Sequence, residues 1–146
     1  MEDKLHSLGF LLNRASVALG KALNNKLQES NIDLPHSQFV VLRCLYYRNG
    51  LSQLEISNLL FKDAAAIKRT IDNLEKKGYV ERQQIHSQKN NILITKLGKT
   101  VLPEALKIAK QITDKALESL STKDEKNLFS ALNTIFENAN KTSTIF

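Results

Sequence analysis

Between residues 51 and 95 the chain sets two short amphipathic segments in a row, each with its own start signal, then a glycine stop and two β-prone runs. Few folds accept that order. The first segment, LSQLEISNLL, opens with Ser52 and carries Glu55 three residues later. That spacing is a capping box, in which each side chain satisfies a free amide at the helix start. Ile56, Leu59 and Leu60 form its expected apolar side. The second segment, FKDAAAIKRTIDNLEKKG, has Asp63 as N-cap and Ile67, Ile71 and Leu74 as its buried stripe. Lys76 and Lys77 suit the negative helix end, and Gly78 stops the helix. Against that stripe, Ala64, Ala65, Lys68, Arg69, Asp72 and Asn73 must face outward. After Gly78, YVERQQI and NNILIT read as two strands around HSQKN. The tip lacks an Asn-Gly type of turn, so a loop of several residues is expected there.

Charge collects on the same stretch. Residues 62–96 hold eight basic and four acidic side chains, a net +4 of the chain's total +6. A local excess of this kind is the footprint of a polyanion-binding face, or else a solvated basic surface with no partner. The 146 residues fit one domain, and the scarcity of Gly and Pro (five and two) favours helices. A single cysteine excludes an internal disulfide and suits a reducing compartment. MEDKLHSLGF lacks the order of a signal peptide, and no apolar run is long enough to span a membrane. The expectation is a soluble cytoplasmic protein.

Long helices flank the central segment. Residues 4–30 place Leu5, Leu8, Leu12, Ala15, Leu19, Ala22 and Leu27 on one stripe, widened by Phe10, Leu11, Val17 and Leu23. One small domain can hardly cover such a helix, so a second subunit is expected. A helix from about His36 to Arg48 turns Phe39, Leu42, Leu45 and Tyr46 inward and ends at Asn49-Gly50. Thr95 caps a long helix with Leu102, Ala105, Leu106, Ala109, Ile112, Ala116 and Leu120 in period, running through Pro103. Thr122 with Glu125 reads as a further capping box. Leu128, Phe129, Leu132, Ile135, Phe136 and Ala139 follow in period, and the tail NKTSTIF is expected to fray.

Two short helices, the second cationic on its outer face and followed by a hairpin, make a winged helix-turn-helix. The expected class is mainly α with a small β-hairpin wing and long flanking helices. The second helix of such a pair enters the major groove N-terminus first. Its free amides suit phosphate, and alanine methyls there permit close approach and contact with a thymine methyl. One turn later Lys68 and Arg69 reach guanine edges or phosphates. The plainer reading of Ala64, Ala65 and Ala66 is that alanine forms helices well.

At this point LPHSQFVVL, LSQLEISNLL, AIKRTIDNLEKKGYVER and ILITKLG resemble, in order, the signatures of the MarR family of bacterial transcription regulators. The resemblance is close over residues 34–98 and extends to the flanking helices by pattern. It implies a single domain over 1–146, with a DNA-binding lobe at 34–96 and dimerisation helices at 1–33 and 97–146. It also implies a homodimer that acts, as a repressor, on a pseudo-palindromic operator in double-stranded DNA. Release by a small aromatic or phenolic effector, bound in a crevice between the dimerisation helices and the lobe, belongs to the same implication. Arg69 falls on the family's recognition-helix arginine, Lys68 where Thr is usual and Ala66 where Ser or Thr is usual. Ser52 and Gln53 fall on the Thr-Gln pair that meets the DNA backbone. The wing departs from the pattern: His86 and Gln88 stand at its Asp-x-Arg positions, and Lys89 is the substitute cation, a poorer fit to a narrow minor groove. The expected DNA-contacting set is thus Ser52, Gln53, Lys62, Ala64, Ala65, Ala66, Lys68, Arg69, Asn73, Gln88 and Lys89.

Other chemistry finds little footing. The family's thiol sensors carry their cysteine in the first helix, which has none here; Cys44 reads as a small buried hydrophobe. Tyr46 and Tyr47 suit either a ligand crevice or plain packing. His6, His36 and His86 show no metal-ligand spacing with one another or with Cys44. No Gly-rich phosphate loop, nucleophile elbow or acid–base constellation appears, so neither catalysis nor a cofactor is expected. The rival to a DNA binder keeps the fold and drops the DNA: a dimeric adaptor or antirepressor that binds protein partners.

Overall fold

The computed structural model describes residues 4–86 and 89–145. The elements run α1 (Leu8–Glu29), α2 (His36–Tyr47), β1 (Leu51–Ser52), α3 (Gln53–Leu60), α4 (Ala64–Lys76), β2 (Val80–His86), β3 (Lys89–Ile94), α5 (Lys96–Ala116) and α6 (Thr122–Ile145). The chain divides into two compact units, one up to Ile112 and one from Thr113, with α5 crossing the boundary.

In the first unit, α2, α3 and α4 close around Phe39, Leu42, Leu45, Ile56, Ile67, Ile71 and Leu74, with Val80, Ile92 and Leu102 sealing the core. Local capping fixes each helix start. Ser52 Oγ accepts from the Glu55 amide at 3.2 Å while Glu55 Oε2 accepts from the Ser52 amide at 3.0 Å, the expected reciprocal box. Asp63 Oδ1 accepts from the Ala66 amide at 2.8 Å. Gly78, at φ 79°, ends α4 in the left-handed region that glycine enters freely. The Thr95 hydroxyl accepts from the Gly98 amide at 3.1 Å and donates to the Gly78 carbonyl at 2.6 Å, tying the start of α5 to the end of α4. Lys77 Nζ fastens that same end to the entry of α2, donating to Asp33 Oδ1 (2.9 Å) and Gln38 Oε1 (2.6 Å).

The sheet differs from the expected two strands. It has three, in the order β1-β3-β2 and antiparallel throughout. Leu51 and Ser52 pair with Ile92 and Asn91, so the strand leading into α3 also anchors the hairpin. Asn49 Oδ1 supports it by accepting from the Ile94 amide at 2.9 Å. The expected loop at the tip falls on residues 87 and 88, which lie outside the described residues; beside it the register shifts between Gln84 and His86, and His86 pairs with Lys89.

Several boundaries and faces shift. α1 starts at Leu8, not residue 4, because Ser7 caps it by accepting from the Phe10 amide at 3.3 Å. Only Gly20, Leu23 and Leu27 of α1 are buried; Leu8, Leu11, Val17 and Leu19 are exposed. Tyr46 does not turn inward: it is 40% exposed and meets the Tyr47 ring edge-on at 5.3 Å. On α3 it is Ile56 and Ser57 that are buried, and Leu59 is 48% exposed. The rotation lets the Ser57 hydroxyl donate to the Lys62 carbonyl and close the turn into α4. α5 ends at Ala116, short of Leu120.

In the second unit α6 is capped by Ser121, whose Oγ accepts from the Asp124 amide at 3.1 Å, so the expected Thr122 box is displaced by one residue. The helix continues through the expected fraying tail to Ile145, and Phe146 lies outside the described residues. Leu128, Phe129, Leu132 and Phe136 are all exposed along it.

Candidate nucleic-acid interface

The expected reading face is carried by α4. Burial of Ile67, Ile71 and Leu74 fixes the rotation of this helix. Ala64, Ala65, Lys68, Arg69 and Asn73 are consequently exposed, with Ala66 half-buried. Asp63 satisfies the Ala66 amide and sets its own carboxylate at the positive end of the helix, which leaves the Ala64 and Ala65 amides for a further acceptor. Two methyl groups there offer no steric barrier. Arg69 has no hydrogen-bond or ion-pair partner among the described residues. Lys62, in the turn before α4, is exposed as well.

Lys68 is held differently. Its Nζ lies 3.0 Å from Asp72 Oδ2, one turn along the same helix. Asp72, expected to face outward, is half-buried and also binds Arg82, whose Nη2 approaches its Oδ1 at 2.5 Å. Arg82 Nη1 reaches Glu75 Oε1 at 2.7 Å. Hydrogen bonds from Lys68, then from Arg82, hold the Asp72 carboxyl below its ordinary range. One guanidinium on β2 thus fastens the hairpin to two carboxylates of α4. Charge counting alone placed Arg82 only among the general excess. Its partners lie seven and ten residues back, and only the turn at Gly78 and the strand direction bring them together.

Ser52 is 9% exposed, with its hydroxyl engaged in the α3 cap. It orients α3 rather than presenting a free hydroxyl. Gln53 is half-exposed, and its Nε2 donates to the Ala64 carbonyl at 3.4 Å, linking the N-termini of α3 and α4. Lys89 opens β3, on the hairpin and away from α4 in sequence. Gln88 lies outside the described residues. The α4 face and Gln53 are therefore gathered at one end of the lobe, with Arg82 bracing that helix against the wing.

Elsewhere the described residues include no group of three His, Cys, Asp or Glu side chains placed to hold a metal ion. No helix among them is long and apolar enough to cross a membrane. Cys44 is buried, and that burial pushes its thiol up despite Arg48 nearby.

Comparison with known proteins agrees with this geometry. The MarR family model matches residues 34–91. An HTH-type transcriptional regulator of Bacillus subtilis (strain 168), YdcH, is 30% identical over 128 residues, covering 84% of this chain and 85% of its own. Among solved structures, a MarR transcriptional regulator from Methanosarcina mazei Go1 superposes with a TM-score of 0.83 at 25% identity, covering 97% of this chain and 94% of its own. A MarR family regulator from Listeria monocytogenes, complexed with 26mer DNA, gives a TM-score of 0.79 at 25% identity over 94% of this chain and 89% of its own. The exposed helix, the braced wing and these likenesses converge: the chain belongs to the MarR family of DNA-binding transcription regulators, proteins that act by binding rather than catalysis.

Proposed function

We propose that this regulator is a cytoplasmic homodimeric repressor that reads a pseudo-palindromic operator with α4 of each subunit. The observation that carries the proposal is the outer face of α4: an open, alanine-lined N-terminus followed one turn later by Arg69, free of any partner among the described residues. In this reading the Ala64 and Ala65 amides meet a phosphate, and Arg69 meets a guanine edge. Lys62 and Lys68 add phosphate contacts, Lys68 by exchanging Asp72 for the backbone. Asn73 follows on the same face, and Gln53 approaches the strand beside it. Lys89, with Gln88, serves the wing where the family's arginine is missing.

Dimerisation is supported by α1 and α6, each of which exposes a run of large apolar side chains that a monomer would leave in water. Release by a small aromatic or phenolic effector completes the reading.

Fluorescence anisotropy of the purified protein on duplex from upstream of its own gene, beside a scrambled duplex and titrated with salt, tests it. The proposal expects preference for the upstream duplex and a steep fall with salt. Equal, weak, salt-insensitive binding to both would favour the adaptor reading, which draws on the same fold and the altered wing.

A further inference from the structure

Four charged side chains form one cluster on α4 and the strand beside it. Lys68 Nζ lies 3.0 Å from Asp72 Oδ2, Arg82 Nη2 lies 2.5 Å from Asp72 Oδ1, and Arg82 Nη1 lies 2.7 Å from Glu75 Oε1. Two cations meet two carboxylates, so the cluster as a whole is neutral. Next to it, Arg69 has no hydrogen-bond or ion-pair partner among the described residues. Adjacent cations on one face are therefore held in opposite ways, Arg69 free and Lys68 tethered. We propose that Asp72 is a positioning residue for DNA selectivity: it withholds Lys68 from backbone phosphates unless the operator brings one directly against the ammonium. The proposal rests on α4 as the reading helix.

The tether depends on Arg82. A lysine one turn before an acid is the weaker order for a helical ion pair, and an exposed pair of this kind contributes little by itself. Here Arg82, mostly covered, grips one oxygen of the Asp72 carboxylate while the other accepts from Lys68. Asp72 is already ordered by the guanidinium, so the contact with Lys68 costs rotamer freedom only in the lysine. Hydrogen bonds from Lys68, then from Arg82, hold the carboxyl below its usual range and keep it ionised in neutral solution. The same geometry makes the tether releasable. When Lys68 leaves, Arg82 still neutralises Asp72, and no partly buried charge is stranded. Lys68 is itself largely exposed, so its ammonium is able to swing to a phosphate without disturbing the core. A phosphate passing at a distance meets a neutral cluster. One that a matched groove sets within hydrogen-bond reach of Nζ displaces the carboxylate. Phosphate carries no sequence information of its own, but contact through Lys68 becomes conditional on fit.

The test is a set of anisotropy titrations over a salt series, on the duplex from upstream of the protein's own gene and on a scrambled duplex of equal length. The full chain is compared with Lys68→Met, Asp72→Asn and the double variant. Asp72→Asn is expected to bind the scrambled duplex about two- to fivefold more tightly than the parent, with a steeper salt dependence, because the freed lysine then neutralises phosphate on any sequence. Its preference for the upstream duplex should narrow accordingly. The gain should vanish in the double variant. Lys68→Met alone, which removes no buried group and covers the case of an Asp72 variant that fails to fold, should flatten the salt dependence on the upstream duplex and leave that on the scrambled one unchanged. Three results would overturn the proposal: scrambled-duplex affinity and salt dependence unchanged in folded Asp72→Asn, a gain that persists in the double variant, or Lys68→Met flattening both duplexes equally. Absence of salt-dependent binding by the parent protein to either duplex would instead overturn the reading of α4 on which the proposal rests.

Discussion

Gly98 sits where a side chain has no space. A β-carbon built there would lie 2.3 Å from the Tyr79 carbonyl oxygen, which is backbone and already accepts from the Thr95 amide at 3.0 Å. Gly98→Ala must push α5 off the junction with α4, and a loss of about 1–3 kcal/mol in urea-melt stability is expected; an unchanged midpoint would contradict the close approach. His36 gives a second test at this scale. Its ring packs 3.6 Å from the position a Gly20 β-carbon would take, and burial first, then Lys62, lower its pKa from the ordinary 6.5. Below pH 6.5 the unfolded chain therefore binds a proton that the folded chain resists. Stability should fall as pH drops through that region, until the folded state protonates too. His36→Gln should flatten the profile, and equal slopes in both proteins would remove His36 from the account.

At the scale of elements, the link between α4 and the wing is the point to probe. Arg82 holds Asp72 and Glu75 with its side chain mostly covered, so Arg82→Ala should cost about 1–2 kcal/mol of stability. It should also raise amide exchange selectively along β2; a uniform change across the lobe would argue against a local brace. This link marks the boundary of what the sequence makes legible. Ser52 with Glu55, Asp63, Gly78 and Thr95 could be read directly, because a cap or a stop depends on residues three or four apart. The outward face of α4 followed from Ile67, Ile71 and Leu74 for the same reason. Arg82 could not be paired with Asp72, nor Leu51 with Ile92, because those partners meet only once the hairpin register exists. Ser121 and Thr122 are adjacent hydroxyls, and periodicity does not choose between them. The turn of Leu59 outward reflects a polar interaction, Ser57 with the Lys62 carbonyl, that outweighs the apolar pattern of an eight-residue helix.

For the whole molecule, the exposed apolar runs of α1 and α6 are what the proposed dimer would cover. Phe129 lies within the α6 run and is 53% exposed, so in the proposed dimer Phe129→Glu should shift the sedimentation of the protein toward monomer. Operator affinity should fall with it, since each subunit would then engage a single half-site; a variant that stays dimeric would place the interface elsewhere. The central claim is that α4 reads the DNA, and Arg69 carries it. The most direct measurement is the dissociation constant of Arg69→Ala against the parent protein, on the operator-bearing duplex and on a scrambled one at the same salt concentration. A loss of about 1–3 kcal/mol confined to the operator duplex is the expected result. Equal affinities for the operator in both proteins would contradict the assignment of α4 as the reading helix.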